Sequence, residues 1–242
     1  MNESFGGNLT GIRGCRNEPI LDRIPEKFNW VAKGKVTPIR NQEKCGCCFI
    51  FSAVATVESS LLIKSRGKID RNDVDFSEQA VLDCLDENTC EDGGLPWLAW
   101  SEMSEYGIVD EKYRRYRKRW TGKCGDFPLT KYSIKVVDWC NRYYNNDEII
   151  QTLLLKHGPL DAGISVKSNP EWKYLKDSFI GYCDKKVNHA VVLVGWTRKY
   201  WIIKNSWGAE WGIKGYLYLP RHRNKCGILN EVAMPITEYY ER

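Results

Sequence analysis

Residues 48–63 place Phe49, Ala53, Val57 and Leu61 four apart, with Ile50, Val54 and Leu62 on the adjoining faces. A helix with that pattern is apolar nearly all round, so it is expected at the centre of a packed unit with chain wrapped about it. A fold of 242 residues buries about 70% of the surface its unfolded chain exposes, enough for one large domain or two small ones sharing an interface. Ser77 before Glu78, Ala80, Val81 and Leu82 caps a second helix, and Asn146 or Asp147 opens a third that runs to His157 and stops at Gly158-Pro159. Beyond Pro159 the pattern changes to short β-rich runs at 190–196, 200–204, 216–219 and 232–236, set apart by Gly, Asn and charged turns. A helical first half and a strand-rich second half predict an α lobe and a β lobe with a cleft between them. Residues 24–38, with Pro, Gly and one Trp, form an irregular packing arm.

With 43% hydrophobic and 28% charged residues, disorder is excluded, and no apolar run approaches the roughly 18 residues that span a bilayer. The net charge of +5 is too mild to demand nucleic acid as a partner. The one basic cluster, residues 112–119, has interleaved aromatics and is read as a solvated surface loop rather than a polyanion site. Ten cysteines in this length favour disulfides and an oxidising compartment, and sequons at Asn2 and Asn8 in a Gly- and Asn-rich start point the same way. No basic segment followed by an apolar stretch opens the chain, so it reads as a mature or trimmed form starting at an introduced Met1.

Three residues suffice for thiol chemistry. Cys48 falls at the start of the buried helix, where free amides and the helix dipole stabilise a thiolate. His189 heads an apolar strand, and Asn205 stands on the neighbouring one. A thiolate attacks a carbonyl, His189 holds the proton and gives it to the leaving amine, and Asn205 accepts the other imidazole N–H. Each alone is more often structural: a helix-start cysteine is usually bridged or buried, and a histidine entering a core strand is usually just hydrogen-bonded. A metal site from Cys45, Cys47, Cys48 and a histidine has the right ligand types.

The blocks Ile24-Pro25-Glu26, 36–42, Cys45-Gly46, Cys48, Phe51-Ser52-Ala53, Ser77-Glu78-Gln79, Asp83-Cys84, Gly93-Gly94, 188–191, 204–208 and Trp211-Gly212 stand in the order found in papain-family cysteine proteases, which the chain resembles over 24–236. His189 and Asn205 follow Cys48 by 141 and 157 residues, the first inside and the second just past the spacing usual for that family. The resemblance implies an α+β, two-lobe papain-like fold: an N-terminal extension at 1–23, a mainly helical lobe at 24–135 carrying the nucleophile, and a mainly β, barrel-like lobe at 136–242 carrying His189 and Asn205, with terminal segments crossing between lobes. It implies a cysteine endopeptidase working through a thioester acyl-enzyme, with Cys48 as nucleophile, His189 as acid/base, Asn205 as orienter, and the Gln42 side chain and Cys48 N–H as the oxyanion hole. Trp207 would shield the His–Asn bond, and Gly93 and Gly94 would admit an extended peptide. Leu95, Pro96, Val187, Asn188 and Ala190 would line the substrate site with Gly163, which deepens the pocket for the second residue before the cut, and Glu231 at its floor, which would accept arginine.

By the same resemblance Cys45 pairs with Cys90, Cys84 with Cys124 and Cys183 with Cys226, which removes Cys45 from the metal site. A Cys15–Cys140 bridge and residues 36–40 are similar to mite group 1 allergen proteases. Polypeptide substrates, an inhibitory pro-segment and cystatin-like inhibitors are the implied partners. No nucleic acid, membrane, metal or cofactor is implied, and the expected form is a monomer, secreted or lysosomal/vacuolar. Departures from the family pattern are Phe49 for Trp, Cys47 for Ser, Glu43 for Gly, and one extra residue between Cys90 and Gly93. Their alternative reading is a catalytically impaired relative that binds peptides or partners.

Overall fold

The computed structural model describes residues 19–142, 146–166, 172, 183–184 and 186–240. The expected Cys15–Cys140 bridge and both sequons involve residues outside this set.

Helix α1 (Cys48–Lys64) is buried from Phe49 to Leu62. Its polar residues are the ones periodicity could not place, and most are bonded. Ser60 Oγ meets Thr237 Oγ1 at 2.7 Å, Thr56 donates to the Ala53 carbonyl, and Glu58 accepts from the Phe76 amide and the Thr37 hydroxyl. Around it pack α2 (Glu78–Cys84), capped by Ser77 accepting from the Ala80 amide, the short α3 (Thr89–Asp92), and α4 (Pro96–Glu105), which begins on a proline whose missing N–H costs a first turn nothing. One core gathers Phe49, Ile50, Val54, Val57, Leu61, Leu82 and Trp100.

The remaining elements are β1 (Phe28–Asn29), β2 (Ile134–Arg142), α5 (Asp147–His157), β3 (Leu160–Ile164), β4 (His189–Trp196), β5 (Tyr200–Lys204), β6 (Tyr216–Pro220) and β7 (Val232–Tyr239). Asn146 caps α5, accepting from the Glu148 and Ile149 amides, and Gly158 at φ 98° ends it in a conformation that favours glycine. The strands form one antiparallel sheet in the order β2-β7-β3-β4-β5-β6, with β1 on β4. Leu153, Leu154, Leu193, Trp196, Trp201, Ile203 and Leu217 form its core against α5.

Two connections tie the cores together. Strand β2 puts Ile134 and Val136 into the helical core and Cys140 into the other, while the arm brings Ile24, Phe28 and Trp30 onto the sheet's core. Bridges Cys45–Cys90, Cys84–Cys124 and Cys183–Cys226 close loops of 45, 40 and 43 residues. Each removes about 4 kcal/mol of unfolded-chain freedom on the chain-entropy model.

Residues 112–119 form the expected surface loop, exposed except at Arg114 and Tyr116, and the loop is pinned to the helical core. Arg114 folds onto the buried Asp83 through Nε at 2.8 Å, the Arg117 amide donates to Gln79 Oε1, and Tyr116 Oη donates to the Gln42 carbonyl at 2.8 Å. Of these acceptors, Asp83 and Gln79 stand on α2.

Candidate active site

Helix α1 has no side-chain cap at its start, so no capping oxygen competes with the Cys48 sulfur for the first amides. Cys48, its first residue, is a half-buried free thiol, and the Ala190 amide donates to its Sγ at 3.4 Å. The sulfur therefore lies against the start of β4, at the residue that follows His189. Burial pushes the Cys48 thiol up, while the amides of Ala190, Phe49 and Cys48 favour the thiolate. His189 is buried, and its Nε2 lies 2.8 Å from Asn205 Oδ1. Burial drags the imidazole down to about 4, opposed by Asn205 and by the charge of Asp161.

Asn205 is fixed from both sides, its amide bonded to Gly215 O at 3.1 Å and its Oδ1 accepting the Ser206 amide at 2.9 Å. The Trp207 ring covers His189 at a centroid distance of 4.7 Å and 31°, braced edge-on by Trp211.

Gln42 comes from the irregular arm. Its backbone N–H bonds Ser206 O at 2.9 Å, and Asn41 pairs with Trp207 in an isolated bridge, so the arm lies beside the Asn205–Trp207 turn. The side-chain amide is held at both ends: Oε1 accepts from Ser206 Oγ at 2.7 Å and Nε2 donates to Cys45 O at 2.9 Å. One Nε2 proton is left over. Tyr116, which sequence reasoning missed, bonds the Gln42 carbonyl and lies 3.1 Å from the buried Cys47 Sγ. Cys47 thus fills a polar niche, and burial pushes its thiol up to about 12.

Glu43 turns away from this chemistry. It adopts φ 58°, a region that favours glycine, and its carboxylate pairs with Lys118 at 3.0 Å in solvent. Phe49 is fully buried beneath Gly94: a Cβ added there would sit 2.5 Å from the Phe49 ring, so the small residue and the small ring are matched. Gly46, tethered by the adjacent Cys45–Cys90 bridge, bonds Cys90 O at 2.7 Å, and Gly93 takes φ 74°.

Gly163, Val187, Ala190 and Glu231 come together. Gly163 pairs with Ala190 across β3 and β4, and its amide bonds Glu231 O at 2.9 Å. The space beside Gly163 is already filled, since an added Cβ would meet Val187 Cγ1 at 2.3 Å, so glycine seats Val187 instead of deepening the pocket. Asn188 is turned to Val166, exchanging two bonds with its backbone. Leu95 and Pro96 sit apart, at the start of α4 beside Gly94, with Leu95 exposed.

Two more residues escaped the sequence. Ser206 is hidden because serine in a turn carries no distinctive signal. Asp161, wholly enclosed on β3, bonds Ser52 and interrupts the apolar run that would have betrayed the strand.

These features match known proteins. A viral cathepsin of Cydia pomonella granulosis virus is 34% identical over 87% of this chain, which spans 62% of that relative's length. In solved structures, the bromelain protease from Ananas comosus bound to the E64 inhibitor superposes with TM-score 0.76 at 32% identity, over 88% of this chain and 99% of that one. A structure of mite allergens gives 0.75 at 31% identity, over 90% of this chain and 74% of that one. A family model described as papain family cysteine protease matches residues 24–236, and with a free thiol at a helix start, a histidine bonded to an asparagine and a clamped glutamine, the chain belongs to the papain family of cysteine proteases.

Proposed function

We propose that this chain is a cysteine endopeptidase. The observation that carries this is that the Ala190 amide donates to Cys48 Sγ while its chain neighbour His189 bonds Asn205, supported by the clamped Gln42 amide. Burial penalises each charge singly, holding the thiol up and the imidazole down. Moving one proton from sulfur to imidazole makes both charges at once. Opposite charges formed together attract each other, which offsets part of that penalty.

The thiolate then attacks the peptide carbonyl. The oxyanion that forms is met by the Cys48 N–H and the spare Gln42 Nε2 proton, donors fixed before charge develops. The imidazolium, oriented by Asn205 and kept dry by Trp207, protonates the leaving amine and leaves a thioester. The now neutral imidazole next takes a proton from water, which attacks the thioester; the C–S bond breaks, the carboxylic acid leaves, and the proton returns to the sulfur.

Gly93 and Gly94 hold the peptide backbone, and Val187, Ala190 and Glu231 meet its second residue before the cut, with apolar walls and an acid for arginine. All these groups lie in one chain, so a monomer suffices. A pro-segment and cystatin-like inhibitors would occupy the same cleft, and the three disulfides among the described residues fit a secreted or lysosomal/vacuolar site of action.

The test is labelling by the epoxide E-64 alongside hydrolysis of fluorogenic peptides. Stoichiometric adduct on Cys48, none in Cys48→Ala, and turnover lost in the same variant are expected. Adduct without turnover would leave a binding protein in place of a protease, and equal labelling of Cys48→Ala would end the proposal. Loss of cleavage after arginine-bearing residues in Glu231→Ala, with apolar substrates unchanged, is expected for the acidic floor; equal rates refute that part.

A further inference from the structure

One buried carboxyl group takes no part in these steps. Asp161 is completely enclosed, and the groups acting on it are the Ser52 hydroxyl and Cys48 thiol of α1, the His189 imidazole of β4, and the Glu231 carboxylate just before β7. Ser52 stands one helical turn after Cys48. Its Oγ reaches two acceptors, Asp161 Oδ1 and the Val191 carbonyl at 3.1 Å.

A hydroxyl has one proton to give. With Asp161 ionised, Ser52 serves one acceptor and forsakes the other. With Asp161 protonated the line closes: its carboxyl donates to Ser52 Oγ, Ser52 donates to Val191 O, and each contact has its own proton. The surroundings agree. Burial foremost, then a Cys48 thiolate and Glu231, disfavour a carboxylate here, the Ser52 hydroxyl and His189 favour one, and on balance the carboxyl is pushed up to about 8.

We propose that Asp161 acts as a neutral carboxylic acid, a positioning residue whose proton anchors Ser52 and with it the first turn of α1, and whose deprotonation sets a charge against the Cys48 thiolate. In alkali the carboxyl gives its proton to hydroxide, and Ser52 turns its own proton from Val191 O to the new carboxylate. Forming the thiolate then puts a second anion nearby. This rests on Cys48 being the nucleophile.

The variant Asp161→Asn stays neutral at every pH and still donates to Ser52, and Asp161→Ser serves as a second, smaller replacement should the first fail to fold. Infrared difference spectra of wild type minus variant are expected to show a protonated-carboxyl carbonyl band at neutral pH that gives way to carboxylate bands near the value of about 8. In the pH profile of Cys48 alkylation by iodoacetamide, the acid limb is expected at the same midpoint in wild type and Asp161→Asn, and the alkaline decline at higher pH in the variant. Carboxylate bands already present at neutral pH overturn the proposal. So does an acid limb displaced to lower pH in the variant, as removal of a standing negative charge requires, and so do superimposable profiles. The infrared band needs no turnover, so failure of Cys48 to label would sink the protease assignment while Asp161 is still read independently.

Discussion

Ser206→Ala isolates how the oxyanion donor is held. The Ser206 hydroxyl bonds Gln42 Oε1 at 2.7 Å, and Cys45 O receives Nε2 at 2.9 Å. Together these choose which end of the amide faces the reacting carbonyl. Alanine removes the first bond but keeps the Ser206 backbone, so its amide still supports Asn205 and its carbonyl still holds the arm. A neutral hydrogen bond contributes about 0.5–1.5 kcal/mol, which makes the expected loss about two- to thirteen-fold in rate. It should appear in kcat with KM nearly constant, because the oxyanion exists only beyond the ground state. Gln42→Ala, which deletes the donor itself, should cost about 10²–10³-fold. The assay is kcat and KM on a fluorogenic peptide amide, with enzyme concentration set by E-64 titration. The deciding arm is the double variant: once Gln42 is gone, Ser206→Ala should add almost nothing. If it costs the same factor in both backgrounds, or nothing in either, Ser206 does not act through Gln42.

Three further outcomes follow from the buried groups. Lys204, buried with Nζ 3.0 Å from Thr37 Oγ1, counters the enclosed Glu58 and Glu78, so Lys204→Met should cost about 3–5 kcal/mol and lower Tm by about 6–20 °C at neutral pH, with a smaller gap in acid where both carboxyls are neutral; equal Tm values at neutral pH refute it. The Asp161 carboxyl sits near 8 when folded against about 4 unfolded, so the folded state holds its proton more tightly and stability falls as pH rises between those values, by up to about 1.4 kcal/mol per pH unit. Asp161→Asn lacks that loss, so its Tm advantage over wild type should widen from pH 4 to pH 8, and a constant difference contradicts the raised carboxyl. Gly163→Ala places a Cβ 2.3 Å from Val187 Cγ1, and displacing Val187 into the subsite should cut kcat/KM for bulky apolar residues about tenfold relative to small ones, while an unchanged preference shows that Val187 has room to retreat elsewhere.

Much of the site was legible because each part carries a local signature. The 48–63 periodicity demanded a buried helix, and α1 is that helix. Ser77 and Asn146 announced two helix starts through capping, and Gly158 announced a stop. Helix α4, which starts at Pro96, was not found in the sequence, and β3 was obscured by Asp161 and Gly163 inside a five-residue run.

Sequence by itself determined α1, α2, α5 and the strands beyond residue 189, with the residue types at their ends, since helix and strand periods and capping act within a few residues. Tertiary structure alone decided what those residues meet: that Glu43 faces Lys118 instead of the oxyanion site, that Arg114 and Tyr116 of the basic loop reach Asp83 and Gln42, that Val187 fills the gap beside Gly163, and that Ser52 and Asp161, 109 residues apart, are hydrogen-bonded to each other. Charge, solvation and hydrogen-bond partners come from neighbours in space, and chain order does not encode those neighbours until the sheet and helix close on one another.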